Sequence, residues 1–144
     1  MRKVGIIQAR INSKRLPNKM FLKIGKLKIL EWVIYRVLKS KLLDEVIVAI
    51  PDNADNFILE RFLKNHNFNT FKGDQNDVLK RFFYAAKKYN ADLIVRICAD
   101  NPFIDHLVID DLLRKFKFKQ FDYSCNHQSR LNSGFADGFG AEIL

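Results

Sequence analysis

The chain has 144 residues, a formal net charge of +9, 48% hydrophobic and 28% charged residues. That length suits one domain with one core, the clustered apolar residues exclude a disordered chain, and no apolar run approaches the ~20 residues that span a bilayer. Two cysteines, Cys98 and Cys125, without Cys-x-x-Cys spacing suggest neither a disulfide framework nor a zinc site, and the short apolar stretch after the basic N-terminus is unlike a signal peptide, so a cytoplasmic location is expected.

In chain order, the first predicted element is a strand over residues 3–8 (KVGIIQ), apolar and rich in β-branched residues. It runs into QARINSKRLPNKM, residues 8–20, which holds Arg10, Lys14, Arg15 and Lys19 and no acid. Residues 1–41 carry 12 cations and one acid, Glu31, whereas residues 42–144 carry 13 cations and 15 acids. This asymmetry points to an anionic partner near the first third: nucleic acid, an acidic membrane surface or a phosphorylated small molecule. A solvated basic loop would use the same residues. A helix is predicted over 29–40, where Leu30, Val33, Ile34, Val37 and Leu38 recur at helical spacing, then a strand over 45–50 (EVIVAI). A helix over 54–65 stacks Ile58 on Phe62 and Leu59 on Leu63, and a strand follows over 67–71 (NFNTF). The next helix, 77–89, has a broad stripe of Val78, Leu79, Phe82, Phe83, Ala86 and Tyr89, with Asn76 or Asp77 as cap and the Phe82–Phe83 pair read as core. A strand over 92–98 (DLIVRIC) leads to a helix over 106–117, capped by Asp105 and carrying Val108, Ile109, Leu112, Leu113 and Phe116. The last strand is 121–125 (FDYSC). RKFKFK, 114–119, alternates basic and aromatic residues and is read as a helix end running into a solvated linker.

Strand–helix alternation predicts a parallel sheet with helices on both faces, and the apolar strands 45–50 and 92–98 suit a sheet covered on both sides. Ligands in such sheets bind at the carboxyl ends of the strands. The basic loop, KGDQND (72–77) and ADNP (99–102) should therefore share one edge. A triphosphate site needs cations, for which Arg10, Arg15 and Lys19 serve, and a carboxylate for a divalent metal, for which Asp100 serves. The phosphate-loop patterns GxxxxGK[ST] and GxGxxG are absent. Asp100 before Asn-Pro also reads as a plain turn residue. Arg96 interrupts an apolar strand, so it either points into the crevice or pairs with a structural acid. His66, His106 and His127 lack ligand spacing and are read as surface or structural.

IIQARINSKRLPNKMFLKIG resembles the N-terminal signature of the acylneuraminate cytidylyltransferase family, in the branch named for spore-coat polysaccharide biosynthesis. FKGDQNDVLKRFFYAAKKYNADLIVRICADNPFID resembles that branch's run from a Gly-acidic turn through a helix to an R-I-x-G-D-x-P-x-I-D strand end, and DGFGAEIL its D-G-x-D-x-E stretch. The resemblance covers essentially all 144 residues. It implies one domain, 1–144, with the Rossmann-like three-layer α/β/α nucleotidyltransferase fold of nucleotide-diphospho-sugar transferases, mostly parallel and cut short at the C-terminus. It implies transfer of CMP from CTP to a sugar or sugar acid for surface polysaccharide, with Mg²⁺ as cofactor, no nucleic-acid or membrane partner, and a homodimer left open. By the same resemblance, Arg10 and Lys19 neutralise the triphosphate and Ser13 binds phosphate oxygens. Arg15 assists or braces the loop, and Gln8 and Ala9 meet the base through backbone. Gly73, Asp74 and Asp77 line the nucleoside pocket, with Asp77 equally readable as a cap, and Arg96 joins this nucleotide-binding set. Asp100 is the metal ligand and a catalytic residue beside Arg10 and Lys19. Asp137 and Glu142 fall on the acceptor side. Three departures stand out: Ala99 replaces the pattern's Gly, Gly140 replaces its Asp, and the chain stops at Leu144 inside a strand, short of family members. The missing carboxylate at 140 and the short C-terminus favour an alternative, a truncated nucleotide-binding module without catalysis. A basic nucleic-acid binder is a further reading, and a glycosyltransferase of related fold is weakened by the lack of a DxD motif.

Overall fold

The computed structural model describes residues 1–12, 16–116, 120–126 and 140–144. Strand β1, Lys3–Gln8, sits at the centre of the sheet with Val4, Ile6 and Ile7 fully buried. After it comes a short 3-10 turn, Lys19–Phe21, and then a hairpin absent from the expectations above, formed by β2 (Lys23–Ile24) and β3 (Leu27–Lys28). Gly25 turns that hairpin at φ 64°, a conformation open to glycine without steric cost. Trp32 clamps it by donating from Nε1 to the Ile24 carbonyl at 2.9 Å.

Helix α1, Ile29–Val37, begins where Glu31 accepts from the Lys28 N–H at 2.8 Å. It stops three residues short of expectation. The reason lies in α4 (below): buried Asp110 accepts from the Ser40 hydroxyl and from the N–H groups of Lys41 and Leu42, so the chain turns there and Leu38 is left exposed. Strand β4, Glu45–Pro51, follows, then α2, Phe57–Asn65. Asn67, at φ 56°, ends α2 in the left-handed conformation, with the Phe68 N–H returning to the Leu63 carbonyl. That cap moves the next strand, β5, to Thr70–Gly73, three residues later than the apolar run suggested. Helix α3, Val78–Lys88, strand β6, Leu93–Cys98, helix α4, His106–Lys115, and two short strands, β7 (Ser124–Cys125) and β8 (Ala141–Ile143), complete the described elements.

Among the described residues the sheet has the order β5-β4-β1-β6-β8-β7. The first four strands are parallel, β8 runs antiparallel to β6, and β7 at the edge runs antiparallel to β8. This is the expected Rossmann-like α/β architecture. One face carries α1, α2 and α4, which bury Leu30, Val33, Leu59, Leu63, Ile109 and Leu113 against the strands. The other is covered by α3 through Phe82 and Ala85. Among the described residues α3 is the one helix there, which corrects two expectations. Strand β6 alternates buried with half-buried positions, so it is not covered on both sides along its length. Leu79 and Phe83 are 77% and 60% exposed, so Phe82 alone of the pair is core. Ile58 of α2 likewise faces out, because the face that touches the sheet is narrower than the apolar stripe.

Candidate active site

The chain moves from β1 outward to β4 and β5, then α3 carries it back to β6 on the other side of β1. The strand order thus reverses beside β1, and the crevice lies at the carboxyl ends of β1 and β6. Gln8 is paired with Ala49 and with Cys98, and Pro51 with Gly73, so the three expected loops do leave from one edge. Backbone bonds tie the exits together: the Ala9 N–H donates to the Ala49 carbonyl and the Ala99 N–H to the Gln8 carbonyl, both at 3.0 Å.

Arg10, exposed, opens the basic loop. The next two residues are pinned across the top of β4, with the Ile11 N–H donating to Asn56 Oδ1 at 3.0 Å and Asn12 Nδ2 to Asp55 Oδ2 at 2.8 Å. Asn56 is buried and is itself held by Asn53. These supports were not picked out from sequence, although Asn53, three residues before Asn56, carries an N-cap signal. Further along the loop, Lys19 Nζ lies 2.6 Å from Asp100 Oδ2 across 81 residues of sequence. The loop after β1 and the turn after β6 therefore meet through a cation and a carboxylate, both partly solvent-accessible. Among the described residues no three His, Cys, Asp or Glu side chains form a ready metal cluster. A lone Asp100 carboxylate fits Mg²⁺, which takes one or two protein carboxylates and completes its shell with water and phosphate oxygens.

The Gly73–Asp77 loop is built by its own acids. Asp74 Oδ1 accepts from the N–H groups of Asn76 (3.0 Å) and Asp77 (2.9 Å), and its Oδ2 pairs with Lys80 at 3.1 Å. The Asp77 bond first, then Lys80 and Asn76, hold the Asp74 carboxyl down at about 2. Asp77 caps α3 by accepting from the Lys80 N–H at 2.9 Å, one of the two roles left open for it. Gly73 leaves room for packing: a Cβ there would stand 2.7 Å from the Phe71 ring and 2.9 Å from Arg81 Cγ. Arg81, which sequence reading passed over, is enclosed beside this loop.

Arg96 resolves toward an acid. It pairs with Glu142, its register partner in β8, and its guanidinium stands 6.0 Å from the Phe82 ring. Burial pulls its pKa down, but the Glu142 hydrogen bond and charge outweigh this and leave it above the ordinary value. Arg96 and Glu142 thus form one pair on the α3 face, beside the crevice. Cys98 Sγ is pushed up, chiefly by burial. Cys125 lies two strands away across β8, beyond the reach of an intrachain disulfide. His66 stands 3.8 Å from Glu31 and stacks on Phe68, and His106 lies 3.3 Å from its neighbour Asp105. Ser13, Arg15, Asp137, His127 and residues 117–119 lie outside the described residues.

Residues 4–134 match the cytidylyltransferase family. The chain is 32% identical to the Bacillus subtilis spore coat polysaccharide biosynthesis protein SpsF over 123 residues, 83% of this chain and 51% of that protein. It superposes on a cytidylyltransferase structure from Leptospira borgpetersenii with a TM-score of 0.91 at 33% identity, covering all of this chain and 60% of that one. A CMP:2-keto-3-deoxy-manno-octonic acid synthetase complexed with CTP superposes with a TM-score of 0.71 at 25% identity, over 79% of this chain and 46% of the other. The chain spans about half the length of the curated relatives it matches. With three loops gathered at the strand-order reversal and the match running through all three, the chain belongs to the cytidylyltransferase family.

Proposed function

We propose that this chain supplies the nucleotide-binding part of an enzyme that transfers CMP from CTP to a sugar or sugar acid, in the synthesis of surface polysaccharide. The observation that carries the reading is the meeting of Lys19 with Asp100 at the reversal point, on the same basic loop that begins with the exposed Arg10. The named roles of SpsF and of the CTP-bound synthetase support the polysaccharide setting and the nucleotide. A cytoplasmic location, where nucleoside triphosphates are held, goes with it.

In this reading an acceptor hydroxyl oxygen bonds to the α-phosphorus and gives up its proton to solvent, the bond from the α-phosphorus to the α–β bridging oxygen breaks, and pyrophosphate leaves with that oxygen. Negative charge grows on the leaving oxygens, so positioning and fixed positive charge provide most of the catalysis. Arg10 and Lys19 hold the phosphates. Lys19 exchanges its Asp100 partner for them, which frees that carboxylate. Mg²⁺ bound at Asp100 would offset charge on the phosphate oxygens. The backbone at Gln8 and Ala9 meets the base, Ser13 and Arg15 complete the phosphate loop, and Gly73, Asp74 and Asp77 shape the nucleoside wall. Asp137 and Glu142 belong to the acceptor side, with Glu142 acting through Arg96.

Calorimetric titration with CTP, ATP, GTP and UTP, with and without Mg²⁺, tests this. Selective, Mg²⁺-assisted CTP binding is expected, and absence of binding by every triphosphate would sink the reading. A second reading, nucleotide binding without turnover, is favoured by Gly140 at a place where the motif carries a carboxylate. It predicts CTP binding with no pyrophosphate release when sugar acids are supplied.

A further inference from the structure

Arg81 lies in the first turn of α3 and is 1% exposed. Its Nη1 donates to the Asp74 carbonyl at 2.7 Å, while its Nε is buried without a hydrogen-bond partner among the described residues. The acid whose charge acts on it, Asp74, turns its carboxylate instead to Lys80 and to the N–H groups of Asn76 and Asp77. Burial first, and the charge of Arg10 second, push Arg81 below the ordinary arginine value. Two guanidinium groups thus act on one another where the loop leaves β1. Gln8, in strand alternation with Val4 and Ile6 beneath α3, also has a buried Oε1 without a partner among the described residues. An enclosed cation lacking a bonded carboxylate opposes folding, and an added neighbouring cation opposes it further. Such an arrangement makes sense when a ligand's negative charge completes it.

We propose that Arg81 is a positioning residue for anion binding: its enclosed guanidinium supplies positive potential behind Arg10 and fixes the Gly73–Asp77 loop through the Asp74 carbonyl, so a polyphosphate at Arg10 and Lys19 is held partly by a charge it does not touch. This rests on the reading above only for the ligand's class, a polyphosphate.

The test separates charge from hydrogen bond. Arg81→Lys keeps the charge and loses the planar fork, whereas Arg81→Gln keeps a donor for the Asp74 carbonyl and loses the charge. Each is titrated, with the wild type, against inorganic tripolyphosphate and against uncharged cytidine. Arg81→Gln should weaken tripolyphosphate about tenfold, as expected for one charge in low-dielectric surroundings near a polyanion. Arg81→Lys should stay close to wild type at neutral pH and weaken as pH rises, because a buried lysine holds its proton less tightly. Cytidine affinity should be alike in all three. The reverse order of the variants, or equal losses together with a lowered melting temperature, would make Arg81 a loop brace and overturn the proposal. If Arg81→Gln does not fold, a pH-independent Arg81→Lys affinity overturns it as well. A wild type that binds tripolyphosphate but prefers no nucleotide sinks the CTP reading and leaves the Arg81 result standing. One that binds no tripolyphosphate sinks the Arg81 proposal.

Discussion

Asp100 and Asp74 are carboxylates at the same sheet edge with different work. Asp100 is exposed, bonds to Lys19 and takes no part in the core. Asp100→Asn should therefore leave the melting temperature nearly unchanged and remove the Mg²⁺ enhancement of triphosphate binding, both readable on one preparation. A large loss of stability with unaltered affinity would return Asp100 to the role of a turn residue. Asp74 instead serves the local backbone, and its carboxyl sits at about 2, below the ordinary ~3.9 of an aspartate. A group whose folded pKa is depressed stabilises fully above its unfolded value and loses that contribution as pH falls through the folded one. Amide exchange at Asn76 and Asp77 should accordingly stay slow down to about pH 4 and quicken toward pH 2, and in Asp74→Asn this acid step should vanish.

At the scale of elements, Asp110 ties α4 to the α1–β4 turn. It is buried, and burial pushes its carboxyl up, but the bonds from Ser40, Lys41 and Leu42 prevail and hold it below the usual range. Asp110→Ala strips the acceptor from three donors, and charged hydrogen bonds of this kind contribute about 1.5–3 kcal/mol each at most. A loss of about 3 kcal/mol in urea unfolding is expected, and a loss near zero would show that water replaces the carboxylate. This contact also explains why α1 ended early. Its apolar spacing continues to Leu38, but the helix yields once a residue 70 positions away in the chain accepts the bonds of the turn. Asn67 shows the opposite case, a local signal overlooked: asparagine adopts the left-handed conformation readily, and its place after α2 marks the helix end from sequence alone.

For the whole molecule, the alternation of short apolar strands with helical stripes was enough to predict the parallel α/β sheet, since parallel neighbours need a long crossover connection, usually a helix. It also placed the basic loop, Gly73–Asp77 and Asp100 on one edge, because parallel strands all present their carboxyl ends together. What remained hidden depends on how faces are shared. Leu79 and Phe83 belong to a helical stripe by spacing, yet only the arrangement of one helix on that face decides that they lie outside it. Arg96 could have faced the crevice until β8 came alongside and set Glu142 opposite it. Arg81 is one cation among 25 in the sequence, and nothing in its neighbours marks it as enclosed. Periodicity and charge are local properties and are legible in the chain. Burial, and the pairing of Lys19 with Asp100, arise where distant segments meet, and those were decided only by the tertiary structure.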